Sequence, residues 1–291
     1  MEVLIEPYNE GYREKSACRV SWRKSLPSYS KNGSPLCLVF GYNCYMLELL
    51  LLAITGVATG FLNVMVGGGS MLSVPIMIFL GVPGTVANGT NRIAILPQNI
   101  SAVWAFYRKG FSNFKLSLSL GACTIPGTLV GASLAARVAN DQFNTLLAII
   151  MVIVLIVMSL PQPKTIEINA KPTKKRLIAG HALMVVIGFW GGFIHIGVGF
   201  LLMPVLNRVM QLDLITTNAH KVFIVLCYTV VALIVFASQL ELIWKYGIAL
   251  GVGTWTGAWL AANMQVKKGI GAIKTTLNIV IVAFIIKLLL F

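Results

Sequence analysis

Residues 46–81 read MLELLLLAITGVATGFLNVMVGGGSMLSVPIMIFLG, a run in which Glu48 is the only charge. A helix spans the hydrocarbon core of a bilayer with about 20 apolar residues, so this run is too long for one straight crossing. Three consecutive glycines, Gly67, Gly68 and Gly69, followed by Ser70, lie inside it. Glycine is a poor helix former, and the helix is predicted to break there. A second helix over roughly 71–81 then starts within the protein, its unpaired N–H groups and positive dipole end at the break. Non-helical backbone at membrane depth survives only where it is buried or lines a cavity, and broken helices of this kind carry the substrate in transporters.

Outward from that run, further apolar stretches fall at about 85–107, 114–136, 142–160, 177–211, 214–237, 243–264 and 268–291. Over the 291 residues 57% are hydrophobic and 11% charged, against about 45–50% and 25% for a soluble domain. The expected fold is therefore all-α: a polytopic membrane protein of about eight transmembrane helices. Four runs precede the polar segment PQPKTIEINAKPTKKR (161–176) and four follow it. The flanking blocks, 46–160 and 177–291, are of equal length, and they are predicted to be homologous four-helix halves joined by a cytoplasmic linker. Residues 1–45 have no long apolar run and no signal-peptide order. They read as a disordered tail or, preferably, as an extension preceding a start at Met46.

The repeat is visible in small residues. Gly56-x-x-x-Gly60 matches Gly188-x-x-x-Gly192, the 67–69 glycines up to Pro75 match Gly197-x-Gly199 up to Pro204, and Gly127-x-x-x-Gly131 matches Gly253-x-x-x-Gly257. Each motif alone could be close helix packing, but all three recur in the same order. With eight crossings and the N-terminus inside, the inner segments hold Arg108, Lys109, Lys115, Lys164, Lys171, Lys174, Lys175, Arg176 and Lys245, and the outer ones Arg137, Arg208, Lys267 and Lys268. The bias places both termini in the cytoplasm. Four crossings per half make the halves parallel copies, unless a broken segment turns back as a hairpin and changes the parity.

The second break is expected over Gly191-Gly192-Phe193-Ile194-His195-Ile196-Gly197-Val198-Gly199, with a short helix to about Met210. Two helix N-termini facing one cavity would favour negative charge. Each half then places a cation at a matching position: Arg92 in Ala87-Asn88-Gly89-Thr90-Asn91-Arg92 and Lys221 in Thr216-Thr217-Asn218-Ala219-His220-Lys221, each 17 residues after Pro75 or Pro204. Charged residues at membrane depth are expensive and mark functional sites unless they snorkel to the interface. The nine acids lie in the N-terminal tail or near the ends of apolar runs, so a bound anion is the expected counter-charge. The candidate substrate-binding set is Asn63, Gly67, Gly68, Gly69, Ser70, Asn88, Thr90, Arg92, His195, Gly197, Gly199, Asn218 and Lys221. Gln98 and Asn99 are polar enough to line a pathway, His181 reads as interfacial, and His195 or His220 could carry a proton.

Other chemistries find no support. The five cysteines form no CxxC pair or metal-ligand spacing. HExxH, GxSxG and a central aspartate pair are missing, so no intramembrane enzyme is expected, and nothing calls for a catalytic residue, a metal or a cofactor. The 23 Lys and Arg against 9 Asp and Glu, a net +14, reads as loop charge facing lipid and cytoplasm rather than as a nucleic-acid surface. A passive anion channel and a structural subunit remain as alternatives to a permease; the number of subunits is not set by this pattern.

At these residues the sequence resembles the TauE/SafE family of membrane transporters, the sulfite exporter family. The resemblance covers 46–291 and rests on GFLNVMVGGGSMLSVPIMIFLGVP, Ala87-x-x-Thr90-x-Arg92 and YRKGF in the first half, and on GGFIHIGVGFLLMPVLNRV with NAHKVFIVLCYTVVALIVF in the second. It implies about eight transmembrane helices in two homologous halves, residence in the bacterial inner membrane, and movement of sulfite, sulfate-like or organosulfur anions, often outward. The second half departs by reading Gly197-Val198-Gly199 and by carrying His195.

Overall fold

The computed structural model describes residues 35–65, 67–111, 113–159 and 173–264. Residues 1–34 of the expected tail (1–45), most of the linker (161–172) and the last apolar run (268–291) lie outside the described residues, while residues 35–45 are helical. Contacts divide the chain into residues 1–46 and 47–291, and the account below concerns the second unit.

Every regular element among the described residues is helical. They are α1 (Pro35–Met65), α2 (Ser70–Phe79), α3 (Gly84–Arg108), α4 (Phe114–Arg137), α5 (Asn140–Ser159), α6 (Lys174–Phe193), α7 (Val198–Pro204), α8 (Leu214–Gln239) and α9 (Trp244–Met264). Beyond Pro204, whose nitrogen cannot donate, α7 continues as a wider π turn over Val205–Val209. Helices over Tyr45–Met65, Phe114–Arg137, Lys174–Phe193 and Ile215–Gln239 are long and apolar enough to cross a membrane. Their outward faces carry large exposed apolar side chains such as Ile54, Val186 and Ile234. The interior instead holds Asn63, Asn88, Asn91, Arg92, Gln98 and Lys221, the reverse of a soluble protein. At 25 residues α3 is about 37 Å long, but its many buried polar side chains, from Thr85 to Ser101, keep it out of the apolar set.

Close contacts fix the relative directions of α1, α3, α4, α6, α8 and α9. Ala53 O meets Gly253 and Val57 O meets Gly257, so α1 and α9 run parallel. Gly188 lies on Thr124 and Gly192 on Thr128, so α4 and α6 are parallel as well. Contacts of Gly247 with Ile93 and of Ser101 with Trp255 align α3 with α9. Ser117 with His220 and Gly121 with Cys227 align α4 with α8. Between α3 and α8 the order inverts, since Gly89 packs on Phe236 while Gln98 and Asn99 share a cavity with Lys221 and Val225. Hence α1, α3 and α9 point one way and α4, α6 and α8 the other.

That pattern requires the chain to reverse at each break. Ser70 bonds to Asn63, whose side chain also reaches Gln98, while Ser73 bonds to Asn91, so α2 runs back along α3 towards its start. In the second half Met210 returns to pack on Gly180 near the start of α6. The broken segments are hairpins, and the halves are related by inversion rather than as parallel copies. The glycine pairs also cross over: the Gly56/Gly60 face of α1 packs on Gly253/Gly257, and the Gly188/Gly192 face of α6 on Gly127/Gly131. Each half thus supplies the packing surface for the other half's hairpin.

Candidate functional site

The first break falls where three glycines predict it, between Met65 and Ser70. The second is shorter than expected. Gly191 and Gly192 belong to the last turn of α6, Gly199 lies inside α7, and only Ile194–Gly197 is non-helical. Gly192 presses against Thr128 O, which explains a glycine within a regular helix. The turn itself is made by two left-handed residues, His195 at φ 61° and Gly197 at φ 73°.

The two breaks touch. A Cβ on Gly67 would stand 2.4 Å from the Gly199 Cα, and one on Gly199 would stand 2.2 Å from the Gly67 Cα. Gly199 N donates to Gly67 O at 3.3 Å. At the start of α2, Asn63 Oδ1 accepts from Ser70 N at 3.3 Å. Part of the positive end expected of each short helix is therefore taken up by protein acceptors.

The matching cations cap helices in the opposite half. The last four carbonyls of a helix lack intrahelical partners, and all four of α6 are accounted for. Trp190 O accepts from Ile194 N and His195 N. Gly191 O and Gly192 O accept from the Arg92 guanidinium at 2.7 and 3.0 Å, and Phe193 O from Asn88 Nδ2 at 2.9 Å. Arg92, fully buried, also stacks over Phe236 with its carbon 5.5 Å from the ring centre. Reciprocally, Lys221 Nζ donates to Val64 O at the end of α1, at 2.8 Å. Positive charge at a helix C-terminus is stabilising, so each cation holds the other half's hairpin at its tip.

Between the breaks is a cavity whose polar lining is Asn63, Gln98, Asn99, His195 and Lys221, with Gly67 and Gly199 on its wall. Asn63 Nδ2 donates to Gln98 Oε1 at 3.0 Å, and Asn99 Nδ2 turns to Ile95 O. Among the described residues no carboxylate lines it. The cavity thus joins five of the predicted site residues: Asn63, Gly67, His195, Gly199 and Lys221. The others surround or stand apart from it. Gly68 packs on the Phe200 ring, Gly69 on Thr59 O, and Gly197 on Val154. Thr90 Oγ1 accepts from Ile243 N, Asn218 is buried, and Ser70, Asn88 and Arg92 serve as described. His181 bonds to Ser119 at the exposed start of its helix, and His220 to Ser117 away from the cavity.

One residue was missed. Tyr228, fully buried in the apolar run of α8, places its Oη 2.6 Å from His195 Nδ1. Its signal is register: it lies seven residues after Lys221, as the cavity residue Asn99 lies seven after Arg92.

A family model described as sulfite exporter TauE/SafE matches residues 52–288. A "Probable membrane transporter protein ORF9" of Sinorhizobium sp is 27% identical over 83% of this chain and 92% of its own length. A "Probable membrane transporter protein" of Haemophilus influenzae is 24% identical over 76% and 86%. The "Probable membrane transporter protein YfcA" of Escherichia coli is 25% identical over 84% and 92%. No solved structure matches the chain.

Proposed function

Since this chain belongs to the sulfite exporter TauE/SafE family of membrane transporters, we propose that it is an inner-membrane permease for a small oxyanion of the sulfite, sulfate-like or organosulfur class. The observation that carries this reading is the cavity where the two inverted hairpins meet, lined among the described residues by an ammonium group and side-chain amides and by no carboxylate. Inverted repeats with substrate held at broken helices are the architecture of alternating-access carriers. Lys221 has one carbonyl partner for three N–H donors, which leaves donors for an anion. Asn63, Gln98, Asn99 and His195 complete the contacts; Arg92 acts on the hinge of α6. Outward transport is the direction the family name favours.

The hairpins also set the proposed orientation. Arg108, Lys109, Lys115, Lys174, Lys175, Arg176 and Arg208 gather at the end where α4, α6 and α8 begin, while Arg137 and Lys245 lie at the other. Positive-inside bias makes the first end cytoplasmic, so Glu48, bonded to Tyr246 at the start of α9, faces outward. The simple count of crossings placed it inside because it took α1 and α2 as one crossing. Cysteines introduced at Phe111 and Ala139 test this: an impermeant maleimide added to intact cells labels Ala139→Cys and spares Phe111→Cys.

Transport itself is tested by flux of labelled sulfite, sulfate and taurine into proteoliposomes. Saturable anion flux with exclusion of uncharged solutes supports the reading. Unsaturable flux points to a channel, and equal movement of neutral solutes refutes an anion site.

A further inference from the structure

We propose that His195, held in orientation by Tyr228, is a proton carrier that makes the cavity carry one proton with each anion. This deepens the anion-permease reading and rests on it. The first observation is strain: His195 holds a left-handed backbone at φ 61°, a conformation that costs a non-glycine residue energy and clusters at functional sites. The second is geometry. The imidazole lines the cavity, its Nδ1 is 2.6 Å from Tyr228 Oη, and its Nε2 has no partner among the described residues. The third is a difference between the halves. Met65 stands two residues before Gly67 where His195 stands two before Gly197, and Asn99 occupies the register position of Tyr228. A proton carrier is thus built into one hairpin only.

Tyr228 is itself held in place. Its ring packs under Gly191, where a Cβ would lie 2.9 Å from Cζ, and the carbonyl of that glycine accepts from Arg92. With Nδ1–H donating to Tyr228 Oη, the Nε2 lone pair faces the cavity. A proton taken from the aqueous side adds to Nε2 and gives an imidazolium. That new N–H donates to an oxygen of the anion, and when the cavity opens to the other side both depart, the proton returning to water. No electrons move, and Tyr228 keeps its own proton throughout.

The charges around the ring make the coupling tight. Lys221 and Tyr228 face it from α8 and Arg92 from α3. From α5 the contact at this hinge is the apolar Val154, and from the first hairpin come Asn63 and Gly67. An imidazolium in the empty cavity would therefore stand among cations with no carboxylate of the described residues beside it, whereas one sharing the cavity with an anion is balanced. Binding of the proton and of the anion each favour the other by the same factor.

The test uses the full chain in proteoliposomes, with labelled sulfite and sulfate in parallel and a trapped pH dye. Sulfate does not change its own protonation over the working range, so any pH dependence it shows belongs to the protein. The expected wild-type result is uptake accelerated by an acid exterior, with about one proton entering per anion. His195→Asn keeps a residue type tolerant of the left-handed region and is expected to abolish the proton signal per anion and flatten the pH profile. Tyr228→Phe is expected to shift the pH profile of flux by half a unit or more without a matching fall in maximal rate. A wild type whose saturable anion flux ignores the pH gradient overturns the proton coupling and leaves the permease standing. A wild type that moves neither anion overturns the permease reading itself. If His195→Asn is folded but moves no anion, Tyr228→Phe decides, and an unchanged pH profile there overturns the proton coupling.

Discussion

The two hairpins share a plan and differ in chemistry. The first, α1 with α2, turns on three glycines, and its end is capped at Val64 O by one ammonium from the other half. The second, α6 with α7, turns on His195 and Gly197, and every terminal carbonyl of α6 is satisfied, two of them by a guanidinium fork and one by an amide. The first is a site of close backbone approach, while the second carries an ionisable group and a fully bonded tip. Cations in matching register therefore need not share one task. A helix-end cap and an anion ligand look the same in sequence, yet here Arg92 is committed to capping while Lys221 both caps and lines the cavity.

The largest effect tests whether the hairpins must touch. Gly67→Ala would set a Cβ into the Gly199 backbone at a residue whose φ is +88°. Overpacking and left-handed strain each cost about 1–3 kcal/mol, so loss of monodisperse protein on size exclusion is expected. Gly81, at φ +87° with open space around it, supplies the contrast, and Gly81→Ala should lose only the strain component. Equal behaviour of the two variants would mean that the hinges do not depend on contact.

Next in size is the exchange of cations for apolar residues. Arg92→Met strands two buried carbonyls, at about 1–3 kcal/mol each. Arg92→Lys should recover part of that, because a point charge cannot reproduce the fork. Lys221→Met removes a single hydrogen bond, to Val64 O, so its thermal destabilisation should be the smaller, while its half-saturation concentration for anion flux should rise. The reverse order, with Arg92→Met stable but slow and Lys221→Met unfolded, would break the division of roles.

The smallest expected effect lies at the starts of the matching helices α3 and α8. Asp213 caps α8 by accepting from Thr216 N at 2.9 Å, whereas Pro83 gives α3 no side-chain cap. Asp213→Ala should cost about 1 kcal/mol in thermal unfolding. Partial burial raises the Asp213 carboxyl, hydrogen bonds from Thr216 lower it, and the net shift is downward. The cap is therefore fully present at neutral pH and fades on acidification through that lowered value, so the penalty of Asp213→Ala should shrink in acid.

The helical runs were legible in the sequence, because lipid demands long apolar stretches and the polar loops punctuate them. The sequence placed the first break well, since three adjacent glycines have no other local reading. It set the second too wide, because a glycine used for packing inside a helix (Gly192 on Thr128) has the same letter as one used in a turn. It also selected Asn63, His195 and Lys221, whose polarity at membrane depth is costly enough to stand out. That each broken run doubles back and that the halves are inverted emerges only from the packing of the folded chain. It alone showed that each cation reaches the opposite half and that Tyr228 stands behind His195. These are facts of direction and long-range contact, formed by residues more than thirty positions apart in the chain; a one-dimensional pattern of polarity fixes how far a helix runs but not which way it returns or what it meets.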